Sequence, residues 1–373
     1  MNNRQKSNTI IAHWFLLSLI LALWMLLAPA CASAAQPFEL HLLDVGQGQS
    51  VLIQADGHFM LIDGGGRFSS SFVVSYLKQQ GVDQFDLIAL SHYDEDHMSG
   101  EIGVLTVFPV ETILLPSYEG EGDLYQSFSR AAISSSAQIQ HPAFGSEYQL
   151  GDAVVEVVGP LRSDYLLEND RSLALRITYG EVTCLICGDA EQTAEMDMVS
   201  SEADLSADIY VVNHHGRRTS STDVFLDAVS PVYALISCGL DNSYGHPAQE
   251  VLQRLQERGI QMYRTDLQGT IVLYSDGNTC WFDQDPCQDW TPGTYRDEMR
   301  SPETEAAALA DSGGSDDTAS GDYLYVCNTN TWKFHYPDCP SVAKMKEKNR
   351  INSSLSRDEL IAQGYQPCGN CHP

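Results

Sequence analysis

Positive charge is scarce. The 373 residues carry 21 Lys and Arg against 50 Asp and Glu, a net of -29 at neutral pH. That balance excludes a broad basic surface for a polyanion. Chemistry on a nucleic acid would have to come from a local, metal-loaded site. Internal repeats are absent, and no further run of membrane helices follows residue 28, so the chain is not expected to be a DNA channel by itself. Apolar residues are not in deficit. A content of 43% hydrophobic and 19% charged residues is that of a globular chain and excludes wholesale disorder. The length favours two folded units with appendages.

Arg4 and Lys6 precede an apolar run over Ile10–Ala28, interrupted by His13, and Ala32-Ser33-Ala34 offers a small-x-small cleavage site. This order predicts that residues 1–35 are a secretory signal peptide. The apolar run is also long enough to span a bilayer as an uncleaved anchor. Pro29 and the lack of Leu three residues before Cys31 argue against a lipid anchor. The expected location is secreted or extracellular, with membrane attachment as the alternative. In that oxidising compartment thiols pair or bind metal.

Residues 36–285 read as alternating strands and helices. Strands are expected at Phe38–Val45, Ser50–Gln54, Phe59–Ile62, Phe85–Leu90, Ala153–Val158, Leu173–Tyr179, Val182–Ile186 and Asp208–Val212. Helical spacing covers Ser69–Gln80 and Gln249–Arg258. Residues 286–322 shift to Pro, Gly, Ser, Thr, Ala and acids and read as an acidic flexible linker. Residues 323–373 regain aromatics and cysteines. Charge divides along the same lines: 11 basic and 37 acidic residues in 36–285, but 6 basic and 4 acidic in 323–373.

The segment from Ser91 to Gly100 packs His92, Asp94, Asp96 and His97 into six residues directly after an apolar strand. Buried, each of those side chains would need a partner, which makes poor core design. On one strand-end loop they form a dense nitrogen and oxygen donor set for a divalent cation. Asp63, Asp189 and His214 also close predicted strands. Singly, each has a bland reading: an Asx turn, a helix N-cap and a loop histidine. Four acid/His sites at strand ends in one domain are harder to dismiss as a coincidence.

The pieces come in a particular order: Leu43-Asp44-Val45-Gly46-Gln47-Gly48, Leu61-Ile62-Asp63-Gly64-Gly65, His92-x-Asp94-x-Asp96-His97, Glu168-Asn169-Asp170-Arg171-Ser172-Leu173, Gly188-Asp189, His214-His215-Gly216 and Asn242-Ser243-Tyr244-Gly245-His246-Pro247. In that order they resemble a metallo-β-lactamase-fold hydrolase, above all the soluble domain of the ComEC competence proteins and their free-standing relatives. The resemblance implies an α/β fold, an αββα sandwich with two divalent metals (Zn or Mn, with Mg also possible) at one edge between the sheets. It implies that His92 and Asp94 bind one metal, Asp96 and His97 the second, that Asp189 bridges them and that His214 completes the second site. Asp63 would orient a ligand histidine. Asp96, His215 and His246 would carry the catalysis, the histidines as acid/base groups or as donors to a developing anion. Two close metals would turn a bridging water into hydroxide and polarise the scissile group.

Arg217 and Ser220 are expected substrate contacts; the neutral reading of Arg217 and Arg218 is an exposed loop pair. Departures are visible. Asp94 stands where most of the superfamily has a second His, and the His before the Gly-Asp strand is missing, with Asn169 or Asp170 near its place. Gln49 and Arg217 are also unusual at their positions. The implied activity is that of a phosphodiesterase or nuclease on DNA or RNA. The alternative is hydrolysis of another ester: phosphocholine on wall polymers, a lactone or a thioester. A non-enzymatic surface protein with a relic site is opposed by the intact donors. No obligate protein partner is evident.

His335, Cys339, Cys368 and Cys371 have spacing that suits tetrahedral Zn²⁺. With Asn349-Arg350 and the stretch Ala362 to Cys371, they resemble the metal-binding domain of the Ada DNA-repair proteins. His335 replaces the methyl-accepting Cys of that family, so the module reads as a structural zinc domain that would bind DNA or wall polymer. Two disulfides among Cys327, Cys339, Cys368 and Cys371 are the alternative. Cys280 and Cys287 would close a short loop by disulfide, Cys184 and Cys187 would face opposite sides of a strand, and Cys238 would lie in the core.

Overall fold

The computed structural model describes residues 38–294, and beyond them 325–328, 331, 333–337, 339–346, 349–353, 357, 360, 365–368 and 371. The signal or anchor segment 1–35 lies outside the described residues, as does most of the linker.

In chain order the first unit contains β1 (Phe38–Leu42), β2 (Val51–Ala55), β3 (His58–Ile62), α1 (Ser70–Gln79), β4 (Phe85–Ala89), α2 (Glu95–Val107), β5 (Val110–Leu114), α3 (Gly122–Ser134) and β6 (Gln138–Gln140). It continues with β7 (Glu147–Leu150), β8 (Ala153–Gly159), β9 (Ala174–Tyr179), β10 (Val182–Ile186), α4 (Gln192–Ser200), β11 (Ile209–Val211), α5 (Asp223–Val229), β12 (Tyr233–Ile236), α6 (Gln249–Glu257), β13 (Gln261–Arg264), β14 (Ile271–Ser275) and β15 (Cys280–Phe282). The strands form two sheets, ordered β15-β14-β1-β2-β3-β4-β5-β6 and β13-β12-β11-β10-β9-β8-β7.

Alternating side chains explain the layering. On β2, Val51 and Ile53 face the space between the sheets, while Leu52 packs outward under the helices. On β4, Leu87 and Ala89 point inward and Ile88 points outward, while Phe85 at the strand's start packs with the outer cluster. The outer face of the second sheet does the same, covered by Phe225, Leu226, Val251 and Leu255 from its own helices. The result is the αββα order, with three apolar layers. Cys184 lies in the inner layer and Cys187 in the outer one, and Cys238 is buried. Both sheets carry a parallel run, β3-β4-β5-β6 and β10-β11-β12-β13. Parallel strands bring their carboxyl ends to one edge, where ligands bind in such sheets.

Two expectations need correction. The donor segment is not one loop: α2 begins at Glu95 with Asp94 as its N-cap, so Asp96 and His97 occupy a helical first turn. The linker does not begin at 286. Cys287 is buried and bonds through its N–H to the Met262 carbonyl, Gly293 bonds to the Pro247 carbonyl, and Arg264 donates to the carbonyls of Asp289 and Thr291. Cys280 and Cys287 are free thiols, not a disulfide.

The second unit holds a four-stranded sheet: β16 (Tyr325–Asn328), β17 (Lys333–His335), β18 (Arg350–Ser353) and β19 (Gln366–Pro367), in the order β18-β16-β17-β19. Among its described residues the buried apolar side chains, apart from cysteines, are Val326, Phe334, Val342 and Leu360.

Candidate metal centre

Every expected ligand of the sandwich comes from the carboxyl end of a strand, or from the turn after it. Asp63 follows β3, His92 and Asp94 follow β4, Asp96 and His97 open α2, Asp189 follows β10, and His214 and His215 follow β11. The backbone is strained there. Asp63, His214 and His215 have φ of 60°, 51° and 57°, in the left-handed region that costs a non-glycine residue about 1–3 kcal/mol. Such strain persists only where the surroundings over-determine it.

Two carboxylates supply that constraint. Asp63 accepts from the Ser91 N–H (2.7 Å), the Ser91 hydroxyl (2.8 Å), Gln49 Nε2 (2.8 Å) and His97 Nδ1 (2.7 Å). Glu195, fully buried on α4, accepts from Asn213 Nδ2 (2.9 Å), the Ser221 N–H, and the Thr222 N–H (2.9 Å) and hydroxyl (2.8 Å). It thus ties both ends of the 213–222 loop to one helix.

Asp189 is the centre of the donor array. Its Oδ1 lies 3.2 Å from His97 Nε2 and 3.5 Å from His215 Nε2. Its Oδ2 lies 3.3 Å from His214 Nε2 and 3.9 Å from His92 Nε2. Asp96 Oδ2 is 3.4 Å from His215 Nε2, and Asp94 Oδ2 is 3.6 Å from His92 Nε2. The carboxylate therefore divides two donor sets: Asp96, His97 and His215 on one side, His92, Asp94 and His214 on the other. Ligand atoms of His92, His97 and Asp189, and those of Asp96, His97 and His215, each lie within 4.8 Å of one another. Burial alone would raise the Asp189 carboxyl, yet the facing histidines hold it well below its ordinary value.

The residues fit metal ions on their own chemistry. His97 donates through Nδ1 to Asp63, and His215 through Nδ1 to the Ser237 carbonyl (2.9 Å). Both Nε2 atoms are thereby turned to one another, 3.2 Å apart beside the Asp96 and Asp189 carboxylates. Burial opposes charge on either ring, but those carboxylates, with Asp63 beside His97, raise the pKa of both histidines, so the pocket favours positive charge, which a metal ion held by the Nε2 atoms would supply. His92 Nε2 and Asp189 Oδ1 are buried without any hydrogen-bond partner, and a cation would satisfy both.

Several expectations shift. His215, assigned to the substrate pocket, presents its Nε2 to the Asp96–His97 set. His214, assigned to that second set, lies instead against Asp189 Oδ2 on the side of His92. The reason is orientation: His214 Nδ1 is 3.3 Å from Glu191 Oε1, which turns Nε2 toward Asp189. This is also the side where the sequence lacks the usual histidine. Asp170 does not replace it, since its carboxylate accepts from the N–H groups of Glu191 and Ala194 at the start of α4. Asn169 donates to Glu191 (3.1 Å) and so borders His214. Ser220 is not a substrate contact. It is fully buried and donates to the carbonyls of Asn213 and Arg217.

His246 and Arg217 border the array. The His246 ring stacks on His215 at 6.1 Å and an interplanar angle of 25°. Burial, aided by the charges of His215, His214 and Arg217, depresses its pKa to about 2, so it is neutral at working pH. Gln47 Nε2, 3.4 Å from its Nδ1, leaves Nε2 as the protonated nitrogen and a donor. Arg217 is half-buried; its charge acts on Glu191 and His246, which places it at the same mouth. Gln49, unusual after Gly48 in the sequence, proves to be a donor to Asp63. Glu191 and Glu195 carry no motif signal; only the place of Glu191 two residues after Asp189 could have marked it.

In the second unit His335, Cys339, Cys368 and Cys371 bring their ligand atoms within 4.8 Å of one another, with His335 Nδ1 3.4 Å from Cys339 Sγ. All four C-terminal cysteines are free thiols, and Cys327 packs in a separate cluster with Phe334 and Leu360.

Comparison with known proteins agrees with this geometry. ComE operon protein 3 of Bacillus subtilis is 30% identical over 251 residues, 62% of this chain and 32% of that protein. Competence protein ComA of Neisseria gonorrhoeae is 32% identical over 230 residues, 61% of this chain and 31% of the relative. Recombination protein 2 of Haemophilus influenzae is 27% identical over 240 residues, 63% of this chain and 28% of the relative. The chain thus spans about a third of the length of these relatives. Residues 43–240 match the model of the metallo-beta-lactamase superfamily, which takes in every donor in the array, and the chain belongs to that superfamily.

Proposed function

We propose that this chain is an exported metal-dependent phosphodiesterase, acting as a nuclease on DNA or RNA. The observation that carries the reading is the Asp189 carboxylate with a separate donor set on each oxygen, bordered by a neutral histidine and a half-buried arginine. His92, Asp94 and His214 would hold one ion and Asp96, His97 and His215 the other, with Asp189 shared. The carboxylates favour Mn²⁺ or Mg²⁺ as well as Zn²⁺. Two such ions lower the pKa of a bound water and polarise a phosphodiester.

The protein's own groups do the rest. Asp63, Glu191 and the Ser237 carbonyl fix the tautomers of His97, His214 and His215, so each aims Nε2 at the centre. His246 Nε2–H donates to an oxygen of the substrate that gains charge. Arg217 meets a phosphate oxygen; its guanidinium has no hydrogen bond or ion pair with another described residue. Names given to the relatives, for competence and recombination, favour a DNA substrate over a lactone or thioester. In the second unit the His-Cys₃ set would hold a structural zinc.

The test supplies residues 36–373 with Mn²⁺, Mg²⁺ or Zn²⁺. The substrates are single- and double-stranded DNA, bis-p-nitrophenyl phosphate, p-nitrophenyl phosphocholine and a lactone. Metal-dependent cleavage of DNA and of the diester is expected, reduced at least about 100-fold in Asp96→Ala. Robust turnover of another ester without DNA cleavage would sink the nuclease reading, and a fully active Asp96→Ala would sink the metal assignment.

A further inference from the structure

The loop after β12 is built to hold one aromatic ring beside the metal donors. Buried Asn242 braces it with four hydrogen bonds. Its Oδ1 accepts from the N–H of Tyr244 (3.1 Å) and of His246 (3.0 Å), and its Nδ2 donates to the carbonyls of Gly239 (2.8 Å) and His246 (2.6 Å). The Tyr244 ring stacks on His246 at 5.6 Å and 22°, continuing the stack of His246 on His215. Three rings thus run outward from the donor array. The outermost, Tyr244, is 59% exposed. An aromatic ring held on a braced loop and left open to solvent is a stacking platform, because its orientational entropy is already lost. Its position also matters. The charges of Asp94, Glu95 and Asp96 act on the Tyr244 hydroxyl, so the ring stands within the field of the site rather than on a remote surface.

We infer that Tyr244 stacks an unpaired nucleobase of the substrate, next to the phosphodiester held at the metal site, and so directs the enzyme to single-stranded nucleic acid. This rests on the phosphodiesterase reading above and adds the substrate class. In a domain with 11 basic and 37 acidic residues, charge cannot supply much affinity for a polyanion. Stacking can, since it does not depend on net charge and every base has a face. A duplex keeps its bases stacked on each other and offers no such face.

Binding decides the matter independently of turnover. The full chain, loaded with Mn²⁺, is titrated against a fluorescein-labelled phosphorothioate oligothymidylate, followed by anisotropy. A backbone of the same length with tetrahydrofuran abasic sites serves as comparison. Tyr244→Ala is expected to bind the base-carrying strand about 5- to 150-fold more weakly, the equivalent of about 1–3 kcal/mol of stacking. Tyr244→Phe and Tyr244→Trp should stay within about threefold of wild type, and the abasic strand should not distinguish the variants. Equal loss on both strands, no loss on either, or no binding of the base-carrying strand by wild type would overturn the inference. Binding of the expected pattern without cleavage of any diester would instead remove the hydrolytic reading and leave the stacking site standing.

Discussion

Glu191 bears on the chemistry more than its place in the sequence suggests. Burial works to raise its carboxyl, but the hydrogen bond and charge of His214, with the charge of Arg217, outweigh it and hold the pKa at about 2. An ionised carboxylate therefore faces His214 Nδ1 across the whole working range, and the opposite nitrogen is left to Asp189 Oδ2. Glu191→Ala frees that ring to rotate. It is expected to weaken one of the two metals by about 10- to 100-fold and leave the other near wild type. Calorimetric titration of the metal-free protein with Mn²⁺ or Zn²⁺ separates the two sites. Equal weakening of both, or of neither, would count against His214 as a ligand on the His92 side. The swap between His214 and His215 was not legible in the sequence, because adjacent residues in a strained turn face different ways and only the partners decide which. The grouping of His92, Asp94, Asp96 and His97 stood out in the sequence because donors that dense have no place in a core, whereas Asp189 stood out only through its place at a strand end in the motif order.

Among the elements, strands were the most readable. β10 matches its expected bounds, and β1 to β4 differ only by a few residues at their ends, since strands buried on both faces read as short, nearly continuous apolar runs bounded by turn residues. The helix α2 was not. It is buried through His97, Met98, Ser99, Gly100, Glu101, Val104 and Leu105, nearly all round its first two turns, so no apolar stripe marks it. Its seat explains the choice of residues. Gly64 N–H bonds to the His97 carbonyl (2.7 Å) and Gly100 N–H to the Gly65 carbonyl (2.9 Å), so the helix and the Asp63 turn touch backbone to backbone. A Cβ on Gly100 would overlap the Gly64 carbonyl. Gly100→Ala must therefore push α2 and His97 away from Asp63. Overpacking of this kind costs about 1–3 kcal/mol, or roughly 2–12 °C in melting temperature for a domain of this size. Loss of metal at the Asp96–His97 set is expected alongside. Gly66→Ala, whose Cβ would meet nothing closer than 3.9 Å, is the control and should melt as wild type. A Gly100→Ala protein with unchanged melting and metal content would refute the backbone contact.

At the level of the whole molecule, the acidity is unevenly distributed and has a local cause. Residues 36–285 carry most of it, and part of that is the donor array, which cations would neutralise; residues 323–373 are slightly basic. The second unit raises a different question of stability. Its described apolar core amounts to Val326, Phe334, Val342, Leu360 and the cysteines themselves. A unit near fifty residues commonly adds a cross-link or a metal to its apolar core. Cys339, Cys368 and Cys371 are free thiols beside His335, a set that could hold a metal ion, whose binding energy would then be folding energy. Cys368→Ser removes one of four ligands. The variant is expected to release its zinc to a chromogenic chelator, and limited proteolysis should then cut within residues 325–371 while a fragment covering 38–294 survives. Wild-type protein should yield one tightly held zinc for this unit and four reduced cysteines on alkylation. Mass spectrometry that finds Cys339, Cys368 or Cys371 in disulfides, with the unit protease-resistant and free of zinc, would replace the metal with a covalent staple.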